Sequence, residues 1–327
     1  MIPYCEQLKG KFGYSDRSMM PPPSETGSNV VQFQYTTGCS HNLCTFCDMY
    51  KDENFTVKGI PEYKKHVDFV LRKISPWWQK SNLTRIFIGS GNVLSVETEE
   101  LNEVIQYSLW SFREKIGKNP ERLALYGNTM DILNHDYDGM HFLNCGGTCH
   151  RGCSVNKFGT RLGLGVVYWG LESGCDAVLK ITGKGYSGEQ AVDAGNCLGN
   201  VDASVMIMPG LGGMTFFNEH IKDTIEVLNE IEPKWITFMG LQVKENTPYS
   251  KWINEQEKHN KNRNLCDEEK VEQIAQIIEG LWFETTIGIH GDNIHNGFCK
   301  NPVSLGSIKS YDRIDGRQIA RRLRRMM

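Results

Sequence analysis

No stretch of this sequence comes near the roughly 18 consecutive apolar residues that a membrane-spanning helix needs, so a protein built on such spans is excluded. No charge of one sign dominates: 36 Lys+Arg stand against 39 Asp+Glu, a net charge of −3. Proteins that coat nucleic acid draw their affinity from neutralising phosphates, and this balance argues against that class. The chain has no internal repeat, no low-complexity tract and no phosphate-binding glycine loop. Met1 to Tyr14 lacks an apolar run, so no signal peptide is expected. Disorder is excluded by composition, with 39% hydrophobic and 23% charged residues.

What is abundant is cysteine. There are 11, an odd number, in 327 residues. A disulfide framework suits a small secreted domain, and this chain is neither small nor secreted in character. Metal or cluster ligands, with a few buried thiols beside them, are the readings that remain.

Strand and helix signals alternate from Val30 onward. Val30 to Tyr35 is β-prone, Arg85 to Ile88 is a short apolar run closed by Gly89, and Leu123 to Tyr126 is a third strand. Val166 to Trp169, Ala203 to Met208 and Trp235 to Met239 complete six. Between them, apolar residues recur at helical spacing: Val67, Val70, Leu71 and Ile74; Leu101, Val104, Ile105 and Leu109; Phe217, Ile221, Ile225 and Leu228. Such alternation means βαβ units, a parallel sheet and an α/β fold, either barrel or doubly wound. The expected organisation is an extended lead-in (1–29, with Pro21 to Pro23), a core (30–250), and a C-terminal segment (251–327). That last segment holds a polar linker, a helix near Asp267 and a basic tail, Arg321 to Arg325. Its four arginines read either as a solvated helix end or as a contact for an acidic partner.

The sharpest local signal follows the first strand. Cys39, Cys44 and Cys47 lie within nine residues, on a βα loop at the edge where α/β proteins place their sites. Three thiolates on a short loop can hold three irons of a [4Fe–4S] cluster and leave the fourth open. A structural zinc site would want a closed set of four ligands, and His41 lies awkwardly between the cysteines to complete it.

These residues carry a resemblance to the radical S-adenosylmethionine (radical SAM) superfamily. The spacing here, C-x4-C-x2-C, is one residue longer than the superfamily's commonest, and it is similar to one branch. Phe46 stands in the aromatic place before the last cysteine, and Pro22-Pro23-Ser24-Glu25 resembles that branch's lead-in. Gly89-Ser90-Gly91-Asn92 matches the glycine motif that meets the SAM amino group, and glycines let backbone approach a ligand closely. Glu172, in Gly170 to Gly174, matches a polar contact to SAM. Met208-Pro209-Gly210-Leu211-Gly212-Gly213 matches the motif beside adenine and ribose, and Thr247-Pro248 resembles the segment after strand six. Taken singly, Gly89 to Asn92 and Pro209-Gly210 read equally as turns, and Glu172 as a helix cap.

The resemblance implies a partial (β/α)6 TIM-like barrel of the radical SAM type. It also implies a [4Fe–4S] cluster and S-adenosylmethionine as cofactors, and an enzyme that reductively cleaves SAM so that a 5′-deoxyadenosyl radical takes hydrogen from a substrate. Tyr126 and Asn128, at the end of strand three, would line the pocket. The substrate would be a small molecule or a macromolecule to be modified, the electron donor a flavodoxin or ferredoxin, and the compartment a reducing cytoplasm. No cobalamin domain and no nucleic-acid module is recognisable.

A second group, Cys145, Cys149 and Cys153, has spacing C-x3-C-x3-C with three glycines in the span, which reads as a loop. With His150, Cys175 or an external ligand as the fourth, it would suit an auxiliary Fe–S cluster, for sulfur insertion or oxidation. A zinc site or unligated thiols are the competing readings. If a helix begins at Ser154, this loop lies at the active-site mouth, the reading preferred on sequence. If Tyr137 to Leu143 is that helix, the loop lies on the far face. Cys5, Cys175, Cys197, Cys266 and Cys299 read as ordinary buried thiols, and His290 and His295 as a solvated turn. A non-catalytic metal-binding scaffold is the alternative of another class.

Overall fold

The computed structural model describes residues 14, 21–74, 82–147, 163–290, 303–308 and 314–325. Contacts divide the chain into two compact units: Met1–His41, Asp52–Tyr168 and Cys197–Asp202 form the first, and Asn42–Lys51, Trp169–Asn196 and Ala203–Met327 the second.

In the first unit, strands β1 (Val30–Gln34), β2 (Arg85–Gly89) and β3 (Arg122–Gly127) are parallel neighbours. Val30 stands opposite Arg85, and Arg85 opposite Arg122. Strand β4 (Val166–Glu172) is next in the order and continues into the second unit. Every residue of β1 is buried, as in a parallel sheet covered on both faces. Two of them are glutamines: Gln32 Nε2 donates to Glu25 O (2.6 Å) while its Oε1 has no partner, and the Gln34 N–H donates to His66 Nε2 (3.0 Å). The His66 ring thus satisfies a donor that an edge strand leaves open.

Helices α1 (Ile60–Ile74), α2 (Thr98–Ile116) and α3 (Thr129–Cys145) pack in this unit. Of the expected stripe of α2, Leu101, Val104 and Ile105 are buried and Leu109 half-buried; Phe112 is buried as well, and the helix ends on Gly117 at φ +84°. Helix α3 opens with a capping box: Asn128 accepts from the Asp131 N–H, and Asp131 accepts from the Asn128 N–H.

The second unit carries the end of β4, then β5 (Asp202–Ile207), β6 (Trp235–Met239) and β7 (Thr285–His290), the last three parallel. Strand β8 (Val303–Ile308) pairs antiparallel with β7 through a bulge between Ser304 and Gly306. The strand signals in the sequence number six, so β7 and β8 extend that set. The helices are α4 (Asp176–Thr182), α5 (Gly188–Leu198), α6 (Phe217–Ile231), α7 (Pro248–Lys258), α8 (Asp267–Gly280) and α9 (Ile314–Arg325).

Three expectations are corrected. Helix α3 occupies 129–145, so Cys145 ends a helix that leads into the start of β4. Cys145 therefore lies beside the start of β4, where the Leu164 N–H donates to Leu143 O (2.9 Å), and not at the mouth preferred from sequence; Cys149, Cys153 and the helix expected from Ser154 lie outside the described residues. Cys266 is exposed, not buried, because it is the N-cap of α8, while Cys175 is buried and Cys197 half-buried. Arg324 is not a solvated tail residue: its guanidinium bridges Glu272 (2.7 and 2.8 Å) and Glu279 (2.6 and 3.1 Å) of α8. Cys5, His150, His295 and Cys299 lie outside the described residues, as does the side chain of His290. No described helix is long and apolar enough to cross a membrane.

Candidate functional site

The unit boundary falls inside the cysteine loop, between His41 and Asn42. In the first unit the chain leaves β1 through Thr36, Thr37 and Gly38 to the half-buried Cys39. The Ser90 N–H donates to Thr36 O (3.1 Å), and the Thr36 hydroxyl donates back to Ser90 O. Gly38 and Gly91 both have positive φ, +78° and +66°, and a Cβ on Gly91 would lie 1.6 Å from Gly38 O. Only glycine permits that approach of the two loops. The Gly89–Ser90 peptide bond is cis.

Ser90 and Asn92 are buried. Asn92 Nδ2 donates to Asp131 Oδ2 (2.5 Å) and to Ser40 Oγ (2.8 Å), while its Oδ1 is buried with no partner. The carboxylate requires a donor, which fixes the amide in this orientation. Burial pushes the Asp131 carboxyl up; the Asn92 and Asn128 hydrogen bonds, with His135 and His41 nearby, pull it back. Tyr126 is half-buried and edge-on to Phe87 and Tyr168, and Asn128 uses its side-chain oxygen as the α3 cap.

In the second unit, the loop's other half is pinned to the end of α4. The Thr45 N–H donates to Thr182 O (2.9 Å) and its hydroxyl to Ile181 O (3.0 Å), while Thr45 O accepts from the Tyr249 N–H (3.0 Å). Between Cys44 and Cys47, both half-buried, Phe46 packs on a cluster that includes Cys175, Val178, Met208, Leu211 and Tyr249. Burial pushes the Cys44 thiol up, and the Lys184 ammonium opposes this.

Glu172 closes β4 with a left-handed backbone at φ +67°. For a glutamate that conformation costs about 1–3 kcal/mol. Its carboxylate is buried, with Oε1 3.6 Å from Lys184 Nζ and Oε2 without a hydrogen-bond partner. It does not cap the following helix: the N-cap of α4 is Cys175. Burial pushes the Glu172 carboxyl up, against the pull of Lys184. Burial works to lower the Lys184 pKa, but Tyr186 and Glu172 outweigh it and hold the ammonium charged. Lys184 also donates to Gly170 O (2.6 Å). The sequence reading passed over this lysine. Its signal was the pair of glycines around it, Gly183 and Gly185, both at positive φ.

The segment after β5 holds three left-handed glycines, Gly210, Gly212 and Gly213. Its amides are already engaged: Gly210 N–H donates to Gln273 Oε1 (2.8 Å) and Gly212 N–H to the Tyr249 hydroxyl (3.0 Å). Met208 N–H donates to Glu172 O (3.0 Å), tying the end of β5 to the end of β4. Met208 and Pro209 are both buried.

The class to which this fold belongs is found among solved structures. The chain is similar to the cobalamin-dependent S-adenosylmethionine radical enzyme OxsB with aqua-cobalamin and S-adenosylmethionine bound (TM-score 0.51, 13% identity, 78% of this chain and 43% of that one). It is also similar to OxsB with aqua-cobalamin alone (TM-score 0.51, 13% identity, 76% and 43%). A methylornithine synthase matches less well (TM-score 0.45, 14% identity, 93% of this chain and 84% of that one). The α/β fold expected from the sequence is thus the fold found, and these radical enzyme structures share it. The chain spans about two-fifths of the OxsB chains it matches. No protein-family profile matches it, and no curated protein does.

Among the described residues, no three Cys, His, Asp or Glu side chains are already gathered as a metal site, the three loop cysteines included. Their chemistry still fits a cluster. All three lie on one short loop as thiols outside any disulfide, and the convergence of such thiols comes from the metal–thiolate bonds themselves.

Proposed function

We propose that this chain is a radical SAM enzyme, with Cys39, Cys44 and Cys47 holding a [4Fe–4S] cluster. One observation carries the reading: four motifs stand in chain order at the C-terminal ends of four of the sheet's strands, where α/β proteins bind ligands. They are the cysteines after β1, the glycine pair after β2, Glu172 ending β4, and Met208-Pro209 after β5. When bound, the cluster and SAM would supply one-electron cleavage of SAM and a 5′-deoxyadenosyl radical that removes hydrogen from the substrate.

The chain's own residues position and exclude water. Asn92, fixed by Asp131, offers its free oxygen to the SAM ammonium group. Glu172, held on one oxygen by Lys184, offers the other to a hydroxyl. Phe46 is anchored in its apolar cluster and holds the loop in place. Because the Gly210 and Gly212 amides are occupied, that segment contributes shape rather than donors. Tyr126 lines the substrate side. The substrate is a small molecule or a macromolecule, with electrons from a flavodoxin or ferredoxin in the cytoplasm. A metal held by Cys145, Cys149 and Cys153 would be structural or a relay, since Cys145 stands where the chain enters β4.

Anaerobic reconstitution tests this. About four irons and four sulfides per chain are expected, falling to near zero in Cys39→Ala/Cys44→Ala/Cys47→Ala; a count near eight would signal a second cluster. With SAM and dithionite the parent should release 5′-deoxyadenosine. An intact, reducible cluster that yields none defeats the proposal.

A further inference from the structure

Helix α9 is not a frayed tail. It buries Ile319, Ala320 and Leu323, and the Arg324 bridge to Glu272 and Glu279 fixes its rotation on α8. The opposite face carries Arg317, Arg321, Arg322 and Arg325, all exposed. None of these four has an ion pair among the described residues, because the neighbouring acids of α8 both face Arg324. Arg317, Arg321 and Arg325 recur every four residues, about 6 Å apart along the axis, on one side of the helix. In a chain of net charge −3, this is a local row of fixed positive charge.

We propose that this face binds RNA, at an unpaired loop. A regular row of cations suits a regular row of phosphates, and the guanidinium fork matches phosphate geometry. The choice of arginine over lysine at all four positions favours a loop, whose unstacked bases can lie on guanidinium planes. Two other acidic partners fit less well. A membrane surface would need the helix's apolar side, which is buried against the protein. An acidic protein would need an apolar centre to the interface, and the exposed side of α9 offers only arginines and Gln318. The inference rests on α9 alone and stands or falls separately from the proposed radical chemistry.

The test is fluorescence anisotropy with the full chain and a labelled RNA hairpin. The competitors are duplex DNA of the same sequence, polyglutamate and phosphatidylserine vesicles. The hairpin should bind most tightly, and log Kd should rise with log salt at a slope of about 2–3, each single-strand phosphate contact contributing roughly 0.7. Arg317→Gln/Arg321→Gln/Arg325→Gln should lower that slope by about 2 and weaken binding at low salt at least tenfold. Its Tm should match the parent, since these side chains pair with nothing in the described structure; should it unfold, Arg322→Gln/Arg325→Gln replaces it. Equal or tighter binding of any competitor overturns the proposal, as does a variant that keeps the parent's slope.

Discussion

Two buried glutamates make an instructive pair. Glu25, in the lead-in, is fully buried where β2 and β3 begin: its Oε1 pairs with Arg122, accepts from the Tyr168 hydroxyl (2.6 Å) and lies 3.8 Å from Arg85. Glu172 ends β4 and faces a single lysine. Each keeps one buried oxygen without a partner, so an orphan oxygen alone does not mark a ligand site. The backbone separates them. Glu25 sits in a short 3-10 turn with no strain, whereas Glu172 is held at φ +67°. Two cations and a tyrosine around an unstrained acid make a structural clamp. One cation beside a strained acid at the C-terminal end of a strand is the arrangement that the proposed function assigns to a ligand contact.

The clamp can be broken directly. Glu25→Ala leaves the Arg122 and Arg85 guanidinium groups, each about one-fifth exposed, facing one another without a carboxylate. Removing one partner of a buried pair costs about 3–5 kcal/mol, and the partial exposure of the arginines places this near the lower end. Chemical denaturation should show that loss, while reconstituted protein that remains folded should bind SAM as the parent does. A variant of parental stability would end the description of Glu25 as a clamp.

Local pattern reached the strands and most helices because each carries its own apolar run: Leu123 to Tyr126 needs nothing distant to be recognised. It missed what depends on distance. Glu25 meets Arg122 across 97 positions, beyond any periodicity. Strand β7, Thr-Thr-Ile-Gly-Ile-His, mixes threonine and glycine and is settled by pairing along β6. In α3, Asp136 interrupts the helix at φ 51° and ψ −172°, a break that no local pattern announces. In the candidate site, the cysteines, Asn92 and Glu172 were legible as motifs. Asp131 and Lys184, which orient them, were not, although Asn128-x-x-Asp131 is a readable capping box.

The turn that strains Glu172 is clamped by α6. His220 Nδ1 lies 2.9 Å from Ser173 Oγ, which also accepts from the Cys175 N–H (3.0 Å), and the Gly174 N–H donates to Thr224 Oγ1 (2.9 Å). Burial holds the His220 pKa down to about 4, from an ordinary 6.5. The folded state therefore favours neutral imidazole, and between those values the unfolded chain binds more protons. Stability from this group is complete above pH 6.5 and declines as pH falls toward 4, by up to about 3 kcal/mol. His220→Asn should flatten denaturation midpoints across that window and loosen SAM binding at neutral pH. A pH profile unchanged by the substitution would remove the clamp from the account of Glu172.

The smallest effect on stability, and the sharpest test of the contrast, comes from Glu172→Gly/Lys184→Met. Glycine adopts φ +67° freely, which recovers about 1 kcal/mol. Replacing a buried ion pair by apolar atoms is often neutral or stabilising, so leaving neither charge behind should avoid the penalty expected for Glu25→Ala. The double variant should then unfold within about 1–2 kcal/mol of the parent, on the stable side. Its cluster content should be unchanged and its SAM affinity, by equilibrium dialysis, at least tenfold weaker. The opposite result, a clear loss of stability with SAM affinity intact, would make Glu172 a second Glu25: a buried acid that holds strands together and touches no ligand.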